Sequence, residues 1–203
     1  MRIALLIIIA LLLSGCCHKD PVEDESYSLT DAERRIIPYD EKDSIPFIHS
    51  AGYEFPFVVT SVAHYTKNEY DFCEWNCCPS HYYTYEVHSA MLLSDYPELF
   101  ITLTTSAQTK HYETAYIAIG VNNKYRVDFA IDSLGQLVVD EYTQFYDTLS
   151  VNEHTYYNVY EKPFNLYYSD TDSTVNKPES ILLGSAGIIQ IKTTRDETYS
   201  INQ

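Results

Sequence analysis

The sequence predicts an all-β domain, a single antiparallel sandwich or barrel-like sheet with one short helix near its start. Three observations carry that expectation. From Ile45 onward apolar residues recur with period two, the mark of strands with one buried face. Turn-forming residues separate these runs at short intervals, and almost nothing has helical spacing. The chain also holds 20 tyrosines, one tryptophan and six glycines, a composition rich in β-favouring aromatics and poor in flexible joints.

The elements follow in order. Thr30-Asp31-Ala32-Glu33 fits a capping box, threonine then glutamate three residues later, and predicts a short helix reaching Ile36 and stopping before Pro38. Residues 53–66 are a long apolar and β-branched run. In 81–93 Tyr83, Tyr85, Val87, Met91 and Leu93 alternate with Thr84, Glu86 and His88, and Leu99, Ile101 and Leu103 alternate with Phe100, Thr102 and Thr104. The clearest pair joins about 113–121 to 124–132 through Asn122-Asn123, a hairpin with Ile117, Ile119, Val127, Phe129 and Ile131 facing inward. Asp132-Ser133-Leu134-Gly135 is the next turn and leads into 136–147. Further strands are expected near 155–161, 164–168, 180–184 and 187–193, with Thr198-Tyr199-Ser200-Ile201 closing the sheet. The polar stretch 169–179 reads as an exposed loop. No repeat, low-complexity tract or second domain is visible.

The chain starts differently. Arg2 precedes an apolar run from Ile3 to Leu13, which ends in Leu13-Ser14-Gly15-Cys16. A basic start, an apolar core and small residues at a cleavage point make a signal-peptide layout, and the run falls short of the about 20 apolar residues a membrane-spanning helix needs. Leu-Ser-Gly-Cys resembles the lipobox of bacterial lipoproteins. That resemblance implies removal of residues 1–15, lipid on the sulfur of Cys16 and acylation of its freed nitrogen. Residues 16–28 then form a polar, acidic tether without periodicity, and 29–203 form the domain. Cys17, not aspartate, follows the lipid position, which in that family favours the outer membrane over inner-membrane retention. Lys19-Asp20 followed by Glu23-Asp24-Glu25 resembles the charged export signal of Bacteroidetes-type lipoproteins, beside the plainer reading of a solvated linker. The segment Leu29 to Phe47, with Ile37-Pro38-Tyr39, and the later Gly187-Ile188-Ile189-Gln190-Ile191 resemble the two ends of many uncharacterised Bacteroidetes-type lipoproteins. This resemblance implies a cell-envelope location facing the periplasm or the exterior, and no particular activity.

Charge narrows the partners. The formal net charge is −16, and removing the leader with Arg2 makes it −17. Such a surface repels nucleic acid and anionic lipid headgroups, so membrane attachment is expected through the N-terminal lipid alone. Two or more acyl chains give a stable anchor.

Five cysteines would remain after cleavage: Cys16, Cys17, Cys73, Cys77 and Cys78. In an oxidising compartment Cys73 is expected to pair with Cys77 or Cys78, clamping a loop that carries Trp75. The same cluster with His81 offers zinc ligands, but it lacks the usual Cys-x-x-Cys spacing, and no metal or other cofactor is expected. Asp170 and Asp172 are too few oxygens for calcium. There is no Gly-rich phosphate loop and no His-Glu-x-x-His. Gly184-Ser185-Ala186-Gly187 is one residue short of a nucleophile elbow and lies among strands. The expected function is a non-enzymatic binding or structural module of the envelope. Its alternative is a glycan-binding accessory protein. Each of Tyr82-Tyr83, Tyr156-Tyr157 and Tyr167-Tyr168 puts one ring on either face of a strand, and Tyr82, Tyr156 and Tyr167 are the candidate stacking residues. The plainer reading of these tyrosines is cross-strand packing. A glycan or an envelope protein is the expected partner, and a hydrolase whose residues converge only in the fold is the remaining reading.

Overall fold

The computed structural model describes residues 20–71, 81–166 and 176–202. It is a single sheet curled into a barrel-like wall, antiparallel throughout except for its first strand. The elements are β1 (Val22–Tyr27), α1 (Asp31–Arg34), β2 (Ser44–His49), β3 (Glu54–Asp71), β4 (His81–Asp95), β5 (Glu98–Ser106), β6 (Ala115–Val121) and β7 (Tyr125–Ile131). They continue as β8 (Gln144–Val151), β9 (His154–Pro163), β10 (Asn165–Leu166), β11 (Pro178–Gly184), β12 (Gly187–Thr193) and β13 (Thr198–Ile201). Along the sheet the order is β10-β7-β6-β5-β4-β3-β2-β13-β12-β11-β9-β8. Only Phe164 separates β9, which pairs with β11, from β10, which pairs with β7. One stretch of chain therefore ties the two ends of the path together, and the curl closes there.

Alternation explains the core. β6 and β7 bury every second residue, and Ile117, Ile119, Val127 and Phe129 show no exposed surface. Asn122 and Asn123 both take positive φ, 51° and 56°, as a two-residue turn matching strand twist requires. Phe47 and Phe57 meet edge to face at 4.9 Å between centroids, and Ile181, Ile188 and Ile189 complete the opposite wall. The segments Ile37-Pro38-Tyr39 and Gly187–Ile191 meet in this core. The buried Tyr39 hydroxyl accepts a hydrogen bond from the Ile188 amide at 2.7 Å. Gly187 lies beneath that phenol with φ of 83°, and a Cβ there would sit 2.1 Å from the oxygen.

Several expectations need correction. The helix covers only Asp31–Arg34, though the capping box is present in both directions. Residues 22–27, expected as part of the tether, form β1 beside His81–Tyr85 of β4. Its side chains are mostly exposed, so it is held by ladder bonds, by the Asp24–His81 contact and by Thr84, which donates to Glu23. Residues 136–147 are not one strand. Leu137 makes a lone bridge to Ile131, Asp140 then caps a turn through the Tyr142 amide and the Thr143 hydroxyl, and β8 starts at Gln144. In β4 the inward set is Ala90 and Leu92, whereas Met91 and Leu93 face outward. A bulge at Thr60 in β3 shifts the pairing between Val59 and Ser61, which lets β3 keep pace with β4 along its whole length.

The hairpin of β3 and β4 runs past the barrel. β3 has 18 residues, about 60 Å at roughly 3.3 Å per residue, where ordinary strands have about 5–6. β5 pairs with Val87–Asp95 of β4, and β1 succeeds it along His81–Tyr85. The result is a three-stranded arm continuous with the curled sheet.

A second bend lies in β9. Asn158 takes φ of 51° within the strand. Beyond it, Tyr160–Pro163 pair with β11, and Tyr160 and Glu161 pair with β8 as well; before it, among the described residues, β9 has only β8 beside it.

Candidate functional site

Cys16, Cys73, Cys77, Cys78 and Tyr167 lie outside the described residues, as do Trp75, Asp170 and Asp172. Tyr82 sits half-buried on the arm, its ring 5.5 Å from that of Tyr70 across the ladder. Tyr156 faces inward and is buried at 8% exposure, and among the described residues its hydroxyl has no hydrogen-bond partner. Its neighbour Tyr157, 66% exposed, takes the outer face, so the accessible ring of that pair is the second one.

Residues opposite each other across a ladder share a face, and this sorts the arm into two sides. His64, Thr66 and Tyr70 share one side with His88, Glu86 and Tyr82, and that side continues the concave wall. Glu86 is its hub. One carboxylate oxygen accepts from the Leu29 amide at 2.9 Å and from Arg34 at 2.8 Å, and the other lies 3.7 Å from His64. Desolvation pushes the Glu86 carboxyl up, but these donors outweigh it and hold the group below its ordinary range. Desolvation, with His64 close by, pushes His88 down. Glu86 thus pins the segment between β1 and α1 onto the arm.

The other side carries Tyr65, Lys67 and Glu69 from β3 opposite Val87, Tyr85 and Tyr83 from β4. The 107–112 loop folds over part of it. His111 meets the Tyr83 ring at 5.7 Å, and Lys110 binds Asp71 at 2.6 Å. Beside this cover four phenols converge. Desolvation raises the Tyr85 pKa, and the nearby phenols of Tyr116, Tyr65 and Tyr112, with the Glu69 carboxylate, raise it further. Tyr112 and Tyr116 rings lie 5.3 Å apart, and Lys67 stands 5.8 Å over the Tyr65 ring. Tyr112 is 55% exposed and Tyr65 40%. The arrangement offers flat apolar rings edged with hydroxyls, on a sheet whose ladder fixes their spacing.

Sequence reasoning picked tyrosine pairs within one strand and so missed this group. Its members come from β3, β4, β6 and the 107–112 loop. Parity in the sequence places Tyr83 and Tyr85 together, but nothing local shows that Tyr65, Tyr112 and Tyr116 join them.

Among the described residues no three histidine, cysteine, aspartate or glutamate side chains gather as a metal site, and no helix is long and apolar enough to cross a membrane. No family model, curated protein or solved structure matches the chain.

Proposed function

We propose that the protein is a lipid-anchored binding module of the cell envelope, held by Cys16 and presenting the arm to its partner. The lipobox and signal-peptide layout support the anchor, and the converging phenols of Tyr65, Tyr85, Tyr112 and Tyr116 support the binding role. Replacing Cys16 with serine tests the first part. The expected outcome is release from membranes, or retention of residues 1–15; a processed variant still bound to membranes would refute the anchor.

The same phenol group favours a glycan as the partner. Sugar rings present flat faces of C–H groups that stack on aromatic rings, and phenol hydroxyls exchange hydrogen bonds with sugar hydroxyls. An acidic chain repels nucleic acid, the other common partner of exposed aromatic rows. In an array of neutral oligosaccharides, Tyr112→Ala and Tyr65→Ala should each weaken binding about fivefold to tenfold, on the order of 1 kcal/mol per lost stacking face. Glycan binding that survives the double substitution would exclude this surface.

A further inference from the structure

A cavity of about 480 Å³ opens where β9 bends at Asn158, a size in the range of small-molecule sites, roughly 300–1,000 Å³. It lies between the end of α1, the turn at Gly135, the β8–β9 hairpin and the β11–β12 turn. Phe145 and Tyr160 form an aromatic wall, their rings 5.0 Å apart and inclined at 50°. The Gln136 and Asn158 amides and the Ser185 hydroxyl stand around it. Arg35 lines the cavity as well, and among the described residues its guanidinium has no ion-pair or hydrogen-bond partner.

Two features set this cavity apart. The chain carries 29 acidic residues, yet among the described residues no carboxylate lines it; Asp132, which after desolvation raises the Tyr160 pKa, has one carboxylate oxygen taken up by the Leu134 and Gln136 amides. Arg34, the adjacent cation, is by contrast taken up by Asp31 and Glu86. The backbone is also held in a costly conformation here. Asn158 has positive φ inside a strand, and asparagine is among the few side chains that accept it. Gly135, with φ of 77°, seats the turn so close to α1 that a Cβ would lie 2.5 Å from that of Ala32.

We propose that this cavity binds a pyranose bearing a carboxylate, a uronic acid residue of a glycan. The inference rests on the glycan reading and adds a second, charge-selective site to it. The planar fork of Arg35 matches a carboxylate with two parallel hydrogen bonds. The Phe145 and Tyr160 rings receive the sugar face, and the amides and the serine hydroxyl meet the ring hydroxyls. A net charge of −16 repels anions from most of the surface, so Arg35, the one cation among the described lining residues, selects one anionic group by position.

Isothermal titration of the full-length chain in detergent, with trigalacturonate and with the neutral galactotriose, tests the assignment. Trigalacturonate should bind at least tenfold more tightly. Arg35→Gln, at an exposed position, should abolish that preference. Phe145→Ala should weaken trigalacturonate at least fivefold, and the preference for trigalacturonate over the neutral trimer should persist in Tyr65→Ala. Displacement by acetate at equal concentration would show a plain carboxylate site and overturn the sugar assignment. Equal affinity for the two trimers, or no effect of Arg35→Gln, would overturn the proposal as a whole. If Tyr65→Ala abolishes binding of both trimers, the cavity assignment fails while the glycan reading stands. If neither trimer binds, both fail.

Discussion

In the curled sheet, β6 and β7 bury every second side chain, whereas in the arm no β3 residue from Ala63 to Asp71 is buried. The two regions share strands, backbone pairing and a taste for aromatic and β-branched residues. They differ in what lies against them. The curled wall folds round a shared core, so its inner face loses water and its register is set by burial. Among the described residues only the 107–112 loop and the segment from Leu29 to Arg34 lie against parts of the arm. Its register comes from an unbroken ladder, from hub residues such as Glu86, and from cross-strand pairs such as Tyr70 with Tyr82. A region built this way keeps aromatic side chains at the surface in fixed positions, and that is the property a binding face needs.

Removing one ring from each region should expose the difference. Phe129 is fully buried and packs beneath Lys162, whose ammonium sits 5.3 Å over the ring and binds Asp140. Phe129→Ala should destabilise the domain by about 3–5 kcal/mol, because it opens a cavity and strips one side of a buried lysine. Urea denaturation measures this directly. A loss below about 1 kcal/mol would mean the curled sheet lacks the core described here.

How far these regions could be read from the sequence follows from the same contrast. The β6–β7 hairpin was legible in its inward set, Ile117, Ile119, Val127, Phe129 and Ile131, and in its Asn122-Asn123 turn. There, alternation and burial are the same fact. In β4 they part company. Tyr83 is buried on one face and Ala90 on the other, because the 107–112 loop covers the first and the barrel interior the second. Alternation reveals two faces and says nothing of what covers each. β1 was illegible for a related reason: its acids stay in water, and the strand exists only because β4 offers it a free edge. The cavity beside Arg35 depends on Asn158, whose positive φ carries no sequence signal stronger than an asparagine in a polar stretch.

Acid should strain the barrel wall through Glu161. Desolvation pushes this carboxyl up, but hydrogen bonds from Lys192, Tyr146 and Ser180 outweigh it and hold the group below its ordinary value. Tyr146, donating to Glu161, is pushed up to about 12, by desolvation first and the carboxylate second. A carboxyl depressed in the folded state binds fewer protons than in the unfolded chain, so its contribution is present above the unfolded pKa, about 4.5, and is lost as pH falls through the lower folded value. Stability measured from pH 7 to pH 3 should fall below about 4.5, with a shallower slope in Glu161→Gln. An unchanged slope would remove Glu161 from the acid response.

The smallest effect is expected on the arm. Tyr70 is half exposed, and among the described residues its ring meets only that of Tyr82, at 5.5 Å, so no enclosed cavity forms when it is lost. Tyr70→Ala should cost no more than about 1 kcal/mol, the scale of a cross-strand pair. Because Asn68–Asp71 of β3 have little burial behind them, their amides open without unfolding the barrel. Hydrogen exchange should therefore quicken at Asn68–Asp71 in this variant, while amides of β6 and β7 keep their protection. The two readouts together discriminate. A global loss comparable with that of Phe129→Ala, or faster exchange in β6 and β7, would show that the arm and the curled sheet unfold as one unit.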